Sequence, residues 1–131
     1  MQYSAAVNNA RLDVFETVTG TSAKLRFYTG ALPANCAAAR TGTLLVEITL
    51  PADWMNPASA TVKTKLGTWS GTAVAGSAAT AGYAAIMDSA GTTCHFQGTS
   101  GIGSGEVPLD GTITSGQTVT CNTFTLNSAN V

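Results

Sequence analysis

With 131 residues, the chain is long enough for one domain to bury a core without metals or disulfides. A formal net charge of −1, with six scattered basic residues, excludes the basic footprint expected of nucleic-acid or anionic-membrane binding. Only 10% of residues are charged, against roughly 25% in ordinary soluble domains, which suits a surface covered by other protein, where desolvating Lys or Glu is costly.

Residues 1–20 carry Arg11, Asp13 and Glu16 and no continuous apolar run. No secretory leader is therefore expected, and Met1 is expected to begin the mature chain. Val7, Ala10, Val14, Phe15 and Val18 recur at three- and four-residue steps. They predict an amphipathic helix over about 4–19 with these residues on one face, stopped by Gly20. From Leu25 the period changes to two. In 24–29, Leu25 and Phe27 oppose Lys24, Arg26 and Tyr28. Residues 30–35 break that strand at Pro33, and 36–40 have room for one helical turn.

The run 43–50 is the strongest strand. Leu44, Val46, Ile48 and Leu50 are expected inward and Leu45, Glu47 and Thr49 outward, making Leu45 a candidate for a partner surface. Residues 51–57 form a loop bracketed by prolines. Its Trp54 and Met55 read either as interface anchors or as a plug closing one end of the β structure. In 60–66, Ala60, Val62, Thr64 and Leu66 oppose Thr61, Lys63 and Lys65, and another strand follows at 68–74.

The small residues of 75–81 predict a mobile loop or a close backbone approach. Strands at 82–87 and 92–97 around the turn 88–91 form a hairpin, with Cys94 and Phe96 on one face and Thr93, His95 and Gln97 on the other. The glycine-rich 98–105 contains Gly101-Ile102-Gly103, but no Lys-Ser/Thr and no helix follow, so it reads as a flexible loop rather than a phosphate cradle. A short strand at 106–109 precedes a long one at 117–126. In the latter the large apolar residues change face between Cys121 and Phe124, predicting a bulge or a change of sheet.

About eight strands with Gly/Pro turns predict a mainly β domain over 1–131. It is expected to be a jelly-roll-like β-sandwich or barrel spanning about 23–127, behind one N-terminal α-helix. Catalytic chemistry is not expected. His95 and Cys94 are strand neighbours pointing to opposite faces, and Asp53, Asp88 and Asp110 sit in turns that account for them. Cys36, Cys94 and Cys121 fit neither a disulfide framework nor a zinc pattern and read as small buried hydrophobes, a Cys94–Cys121 bridge being the one pairing considered. No metal, cofactor, small-molecule substrate, nucleic acid or membrane is expected.

Several strings are distinctive: Asn9-Ala10-Arg11-Leu12-Asp13, Thr19-Gly20-Thr21-Ser22, Thr29-Gly30-Ala31-Leu32-Pro33-Ala34-Asn35-Cys36-Ala37-Ala38-Ala39, Leu50-Pro51-Ala52-Asp53-Trp54-Met55 and Asp88-Ser89-Ala90-Gly91-Thr92-Thr93-Cys94-His95-Phe96-Gln97-Gly98. Together they resemble a family of small virion proteins of tailed bacteriophages, some of them placed as cement (decoration) proteins on the head. The resemblance spans most of the chain, though its strings carry no known chemistry. It implies a jelly-roll-like protein, made in the host bacterial cytoplasm and bound as a dimer or trimer to the outside of the major capsid protein lattice. The expected contacts are Tyr3, Leu12 and Phe15 from the helix region and Trp54 and Met55 from the 51–57 loop. Two alternatives stay open: another virion part (tail tube, head completion or fibre), and a carbohydrate- or receptor-binding sandwich with Trp54, Trp69 and Tyr83 as a stacking platform.

Overall fold

The computed structural model describes residues 1–128. Helix α1 (Ala5–Thr19) is capped by the Ser4 hydroxyl, which accepts the Val7 N–H at 3.3 Å. It stops at Gly20, whose N–H still bonds the Glu16 carbonyl at 2.9 Å and whose φ of 89° turns the following chain out of the helix. Eleven strands follow among the described residues: β1 (Lys24–Tyr28), β2 (Leu44–Thr49), β3 (Val62–Thr64), β4 (Ser70–Thr72), β5 (Ala78–Ala79), β6 (Tyr83–Met87), β7 (Cys94–Gly101), β8 (Ser104–Gly105), β9 (Ile113–Thr114), β10 (Thr118–Thr120) and β11 (Thr125–Asn127). The chain is mainly β, as its periodicity predicts.

The frame is a five-stranded antiparallel sheet in the order β2-β1-β6-β7-β8, accompanied by two-stranded ribbons β4–β10, β3–β11 and β5–β9. The hairpin β6–β7 forms around the predicted turn. Asp88 anchors that turn: its carboxylate accepts the Thr92 and Thr93 N–H groups, and these bonds, Thr92's foremost, hold its pKa down to about 2. The expected change of partner near the C-terminus also occurs. The chain leaves β4 after Thr120, buries Cys121 and Phe124 in the connection, and joins β3 at Thr125.

Both faces of the central sheet are covered. One face carries Leu25, Phe27, Val46, Ile48, Ala84 and Ile86 into the main core. There Phe15, Trp54, Trp69, Phe124 and Phe96 form a closed ring of aromatic contacts, with successive centroids 5.6, 5.9, 5.4, 5.5 and 5.9 Å apart. Both indole N–H groups are satisfied, Trp54's by the Gly20 carbonyl at 2.9 Å and Trp69's by the Leu66 carbonyl at 3.0 Å. The opposite face carries a smaller cluster of Tyr28, Tyr83, Ala85 and Met87 beneath residues 29–43, with the two tyrosine rings stacked 5.0 Å apart. Gly82, the residue before β6, sits where a Cβ would run into the Gly30 carbonyl, so this close strand entry requires glycine.

Two bulges overturn side-chain directions read from strict alternation. Between β1 and β2 the register steps from Phe27↔Val46 to Tyr28↔Leu44. Leu45 is the extra residue and turns into the main core beside Val46, while Leu44 packs with the tyrosines. Between β6 and β7 the register steps from Ile86↔Phe96 to Met87↔Cys94, which separates Cys94 from Phe96. Phe96 enters the main core and Cys94 the smaller cluster.

Other expectations also change. Residues 75–81 contain β5, which pairs with β9. The glycine-rich segment continues β7 to Gly101 and returns as β8, a paired hairpin rather than a free loop. Residues 106–109 form no strand, although Val107 and Leu109 are buried. Residues 36–40 form no helix; Asn35 Oδ1 instead accepts the Ala37 and Ala38 N–H groups. The expected β limit of 127 is the last residue of β11.

Candidate interaction surface

Helix α1 presents a face opposite to the one its valines predict. Asn9, Asp13 and Glu16, spaced four and three residues apart, point towards the body and hold the backbone of residues 54–61. Asn9 Oδ1 accepts the Thr61 N–H, Asp13 Oδ1 the Ala58 N–H, and Glu16 Oε1 the N–H groups of Trp54 and Met55, all at 2.9–3.1 Å. Lys63 completes this layer. It is 2% exposed, and its ammonium lies 2.8 Å from Asp13, 3.1 Å from Glu16 and 2.9 Å from the Asn56 carbonyl. The Lys63 hydrogen bond is the main reason that the Asp13 carboxyl sits below its ordinary pKa of 3.8, against an opposing push from burial. Leu12 and the partly buried Phe15 reach the core beside these polar groups.

With the carboxylates turned inward, the valines of α1 are left outside. Val7, Val14 and Val18 are 44%, 55% and 61% exposed, and Tyr3, just before the helix, is 54% exposed beneath the Arg11 guanidinium, 5.1 Å from its ring centroid. These four and Met1 are five of the eight large hydrophobics exposed among the described residues. Beside them runs a shallow groove lined by Arg11, Val14, Phe15, Val18 and Thr19 of α1 and by His95 of β7. Several large apolar side chains left exposed on one helix face beside a groove have the character of a contact surface.

The expected contact residues divide accordingly. Tyr3 is exposed and Phe15 forms part of the groove floor. Leu12, Leu45, Trp54 and Met55 are buried in the chain's own core and are corrected to structural residues. Leu45 is turned in by its bulge, and Trp54 and Met55 are the plug that closes the core under α1. Trp54, Trp69 and Tyr83 are fully buried, so the stacking platform proposed for glycans does not exist at the surface.

No protein-family model, curated protein or solved structure matches the chain. A second cleft is lined by residues between 109 and 122, apolar and uncharged polar side chains together, with Asp110 as its one ionisable side chain, held by the Asn122 amide. His95 lines the α1 groove while Cys94 faces the other side of the sheet, so the two do not form a nucleophile–base pair. Among the described residues no three His, Cys, Asp or Glu side chains gather as a metal site would need, and no helix is long and apolar enough to cross a membrane.

Sequence reasoning missed the outward orientation of Val7, Val14 and Val18 and the burial of Lys63. The available signal was the second stripe on the helix: Asn9, Asp13 and Glu16 recur at the same three- and four-residue spacing as the valines.

Proposed function

We propose that this chain is a non-enzymatic virion structural protein, a cement protein that binds and stabilises the major capsid protein lattice of a tailed phage together with further copies of itself as a dimer or trimer. The observation that carries this reading is the outer face of α1. The helix turns its carboxylates into its own domain and leaves Tyr3, Val7, Val14 and Val18 for a partner. Low overall charge lowers the cost of covering such a surface. The sequence resemblance supplies the partner.

The physics suits a repeated contact. Fully burying one valine is worth about 1.5 kcal/mol, so three half-exposed valines bind weakly on their own. Repetition across a symmetric shell multiplies such contacts, and binding only the assembled lattice stabilises it by mass action.

The test has two arms. Cryo-electron microscopy of purified particles should place one copy set at each local symmetry axis of the shell, with α1 towards the lattice. Val14→Glu combined with Val18→Glu should abolish retention on shells while changing folding stability by less than about 0.5 kcal/mol, since both side chains are at the surface. Full retention of the double variant would overturn the assigned contact. Density confined to the tail or portal would replace the cement reading with another virion station, and absence from particles would end it.

A further inference from the structure

The two cysteines of the loop-covered sheet face lie together although 58 positions separate them in the chain. Cys36 Sγ and Cys94 Sγ are 2.9 Å apart, within an ångström of the about 2.05 Å of a disulfide bond. Neighbouring groups hold this approach. Arg40 donates to the Asn35, Cys36 and Ala38 carbonyls at 3.2, 3.1 and 2.7 Å, and to Gln97 Oε1 of β7 at 2.9 Å. The Gln97 amide in turn donates to the Pro33 carbonyl at 2.7 Å. The loop carrying Cys36 is thus seated against the strand carrying Cys94 by polar contacts that involve no sulfur chemistry.

We propose that Cys36 and Cys94 form an intramolecular disulfide under oxidising conditions, stapling residues 29–43 to β7, while Cys121 takes no part. With a small disulfide such as oxidised glutathione as oxidant, one cysteine thiolate attacks it, forming a mixed disulfide and releasing one glutathione thiol. The second cysteine loses its proton and displaces the other glutathione thiol, leaving one protein disulfide and two reduced glutathiones. Burial pushes the Cys94 thiol up to about 12, with the adjacent Cys36 adding to the effect and Arg40 opposing it. Cys94 therefore stays a thiol near neutrality, and closure needs the oxidant because it removes two electrons from the pair. Cys121 is fully buried on the other side of the sheet, its Sγ 3.3 Å from the Thr123 carbonyl, and burial raises it to about 11.

The experiment equilibrates the full chain in reduced or oxidised glutathione, unfolds it in N-ethylmaleimide, and counts adducts by intact mass. Three adducts are expected after reduction and one after oxidation, with a Cys36–Cys94 linked peptide on digestion. Cys36→Ser should keep two adducts in both buffers, and Cys121→Ser should go from two to none. Closing so long a loop should raise the melting temperature of the oxidised form by on the order of 10 °C. Three adducts in both buffers, a persistent glutathione adduct, a link to Cys121 or a link between chains would each overturn the proposal.

Discussion

The two faces of the central sheet are closed in different ways. One is sealed by area: α1, the 51–57 loop and the ribbons bury an aromatic ring against Leu25, Phe27, Val46 and Ile86. The other is sealed by the single segment 29–43, held by a few specific atoms: the Tyr83 hydroxyl, the Arg40 fork, the Gln97 amide and the Cys36–Cys94 contact. Dispersion and hydrophobic burial are spread over many atoms, so the loss on the first face grows with the volume removed and is largest when a whole ring goes. Hydrogen bonds are individually modest and local, so the second face should loosen piecemeal without unfolding the domain.

This contrast sets the order of expected effects. Trp69→Ala deletes a fully buried ring that touches both Trp54 and Phe124 and should cost about 3–5 kcal/mol, read as a drop in the urea midpoint. A loss below 1 kcal/mol would show that the ring does not carry that face.

Lys63→Ala comes next. It strands the inward carboxylates of α1, and because Asp13 and Glu16 keep some solvent contact, the expected cost is about 2 kcal/mol, below that of a fully sealed pair. Asp13 also gives this layer a pH signature. Its folded pKa lies below the ordinary 3.8, so its contribution is complete above 3.8 and is lost as pH falls through the lower folded value. The stability gap between the native chain and Asp13→Asn should therefore close below about pH 4, whereas the Trp69→Ala deficit should persist at acid pH.

The smallest effect belongs to the loop-covered face. Tyr83→Phe removes the hydroxyl that donates to the Thr41 carbonyl at 2.7 Å and accepts the Thr41 N–H at 3.0 Å. It should cost about 1 kcal/mol. Faster amide exchange should be confined to 29–43, with the main core unchanged. Uniform loss of protection would erase the distinction between the faces.

Much of the fold is legible in the residues. The helix follows from its three- and four-residue period and its end from Gly20, the β6–β7 hairpin from Asp88 and its following glycine turn, and the late change of partner from the switch of apolar side chains at Cys121–Phe124. These are short-range signals, in which a cap, a turn or a period acts within a few residues. The contact surface was much less legible. Trp54, Met55 and Leu12 are large apolar residues without an obvious strand face, a description that fits a core plug as well as an interface anchor, and Leu45 is outward by strict alternation, yet all four are buried.

The sequence alone therefore determined the class of this protein: one N-terminal helix, then short strands, with very little charge to solvate. Tertiary structure decided which side of each element faces in. A helix with valines on one stripe and Asn9, Asp13 and Glu16 on another can dock by either, and periodicity does not distinguish them. The choice was made by the backbone N–H groups of Trp54, Met55, Ala58 and Thr61, which those carboxylates and the Asn9 amide satisfy, and by the buried Lys63 ammonium, which the carboxylates satisfy together with the Asn56 carbonyl. Likewise, one extra residue at Leu45 and one at His95 reversed side-chain directions that alternation assigns, because register is a property of two strands and is written in neither alone.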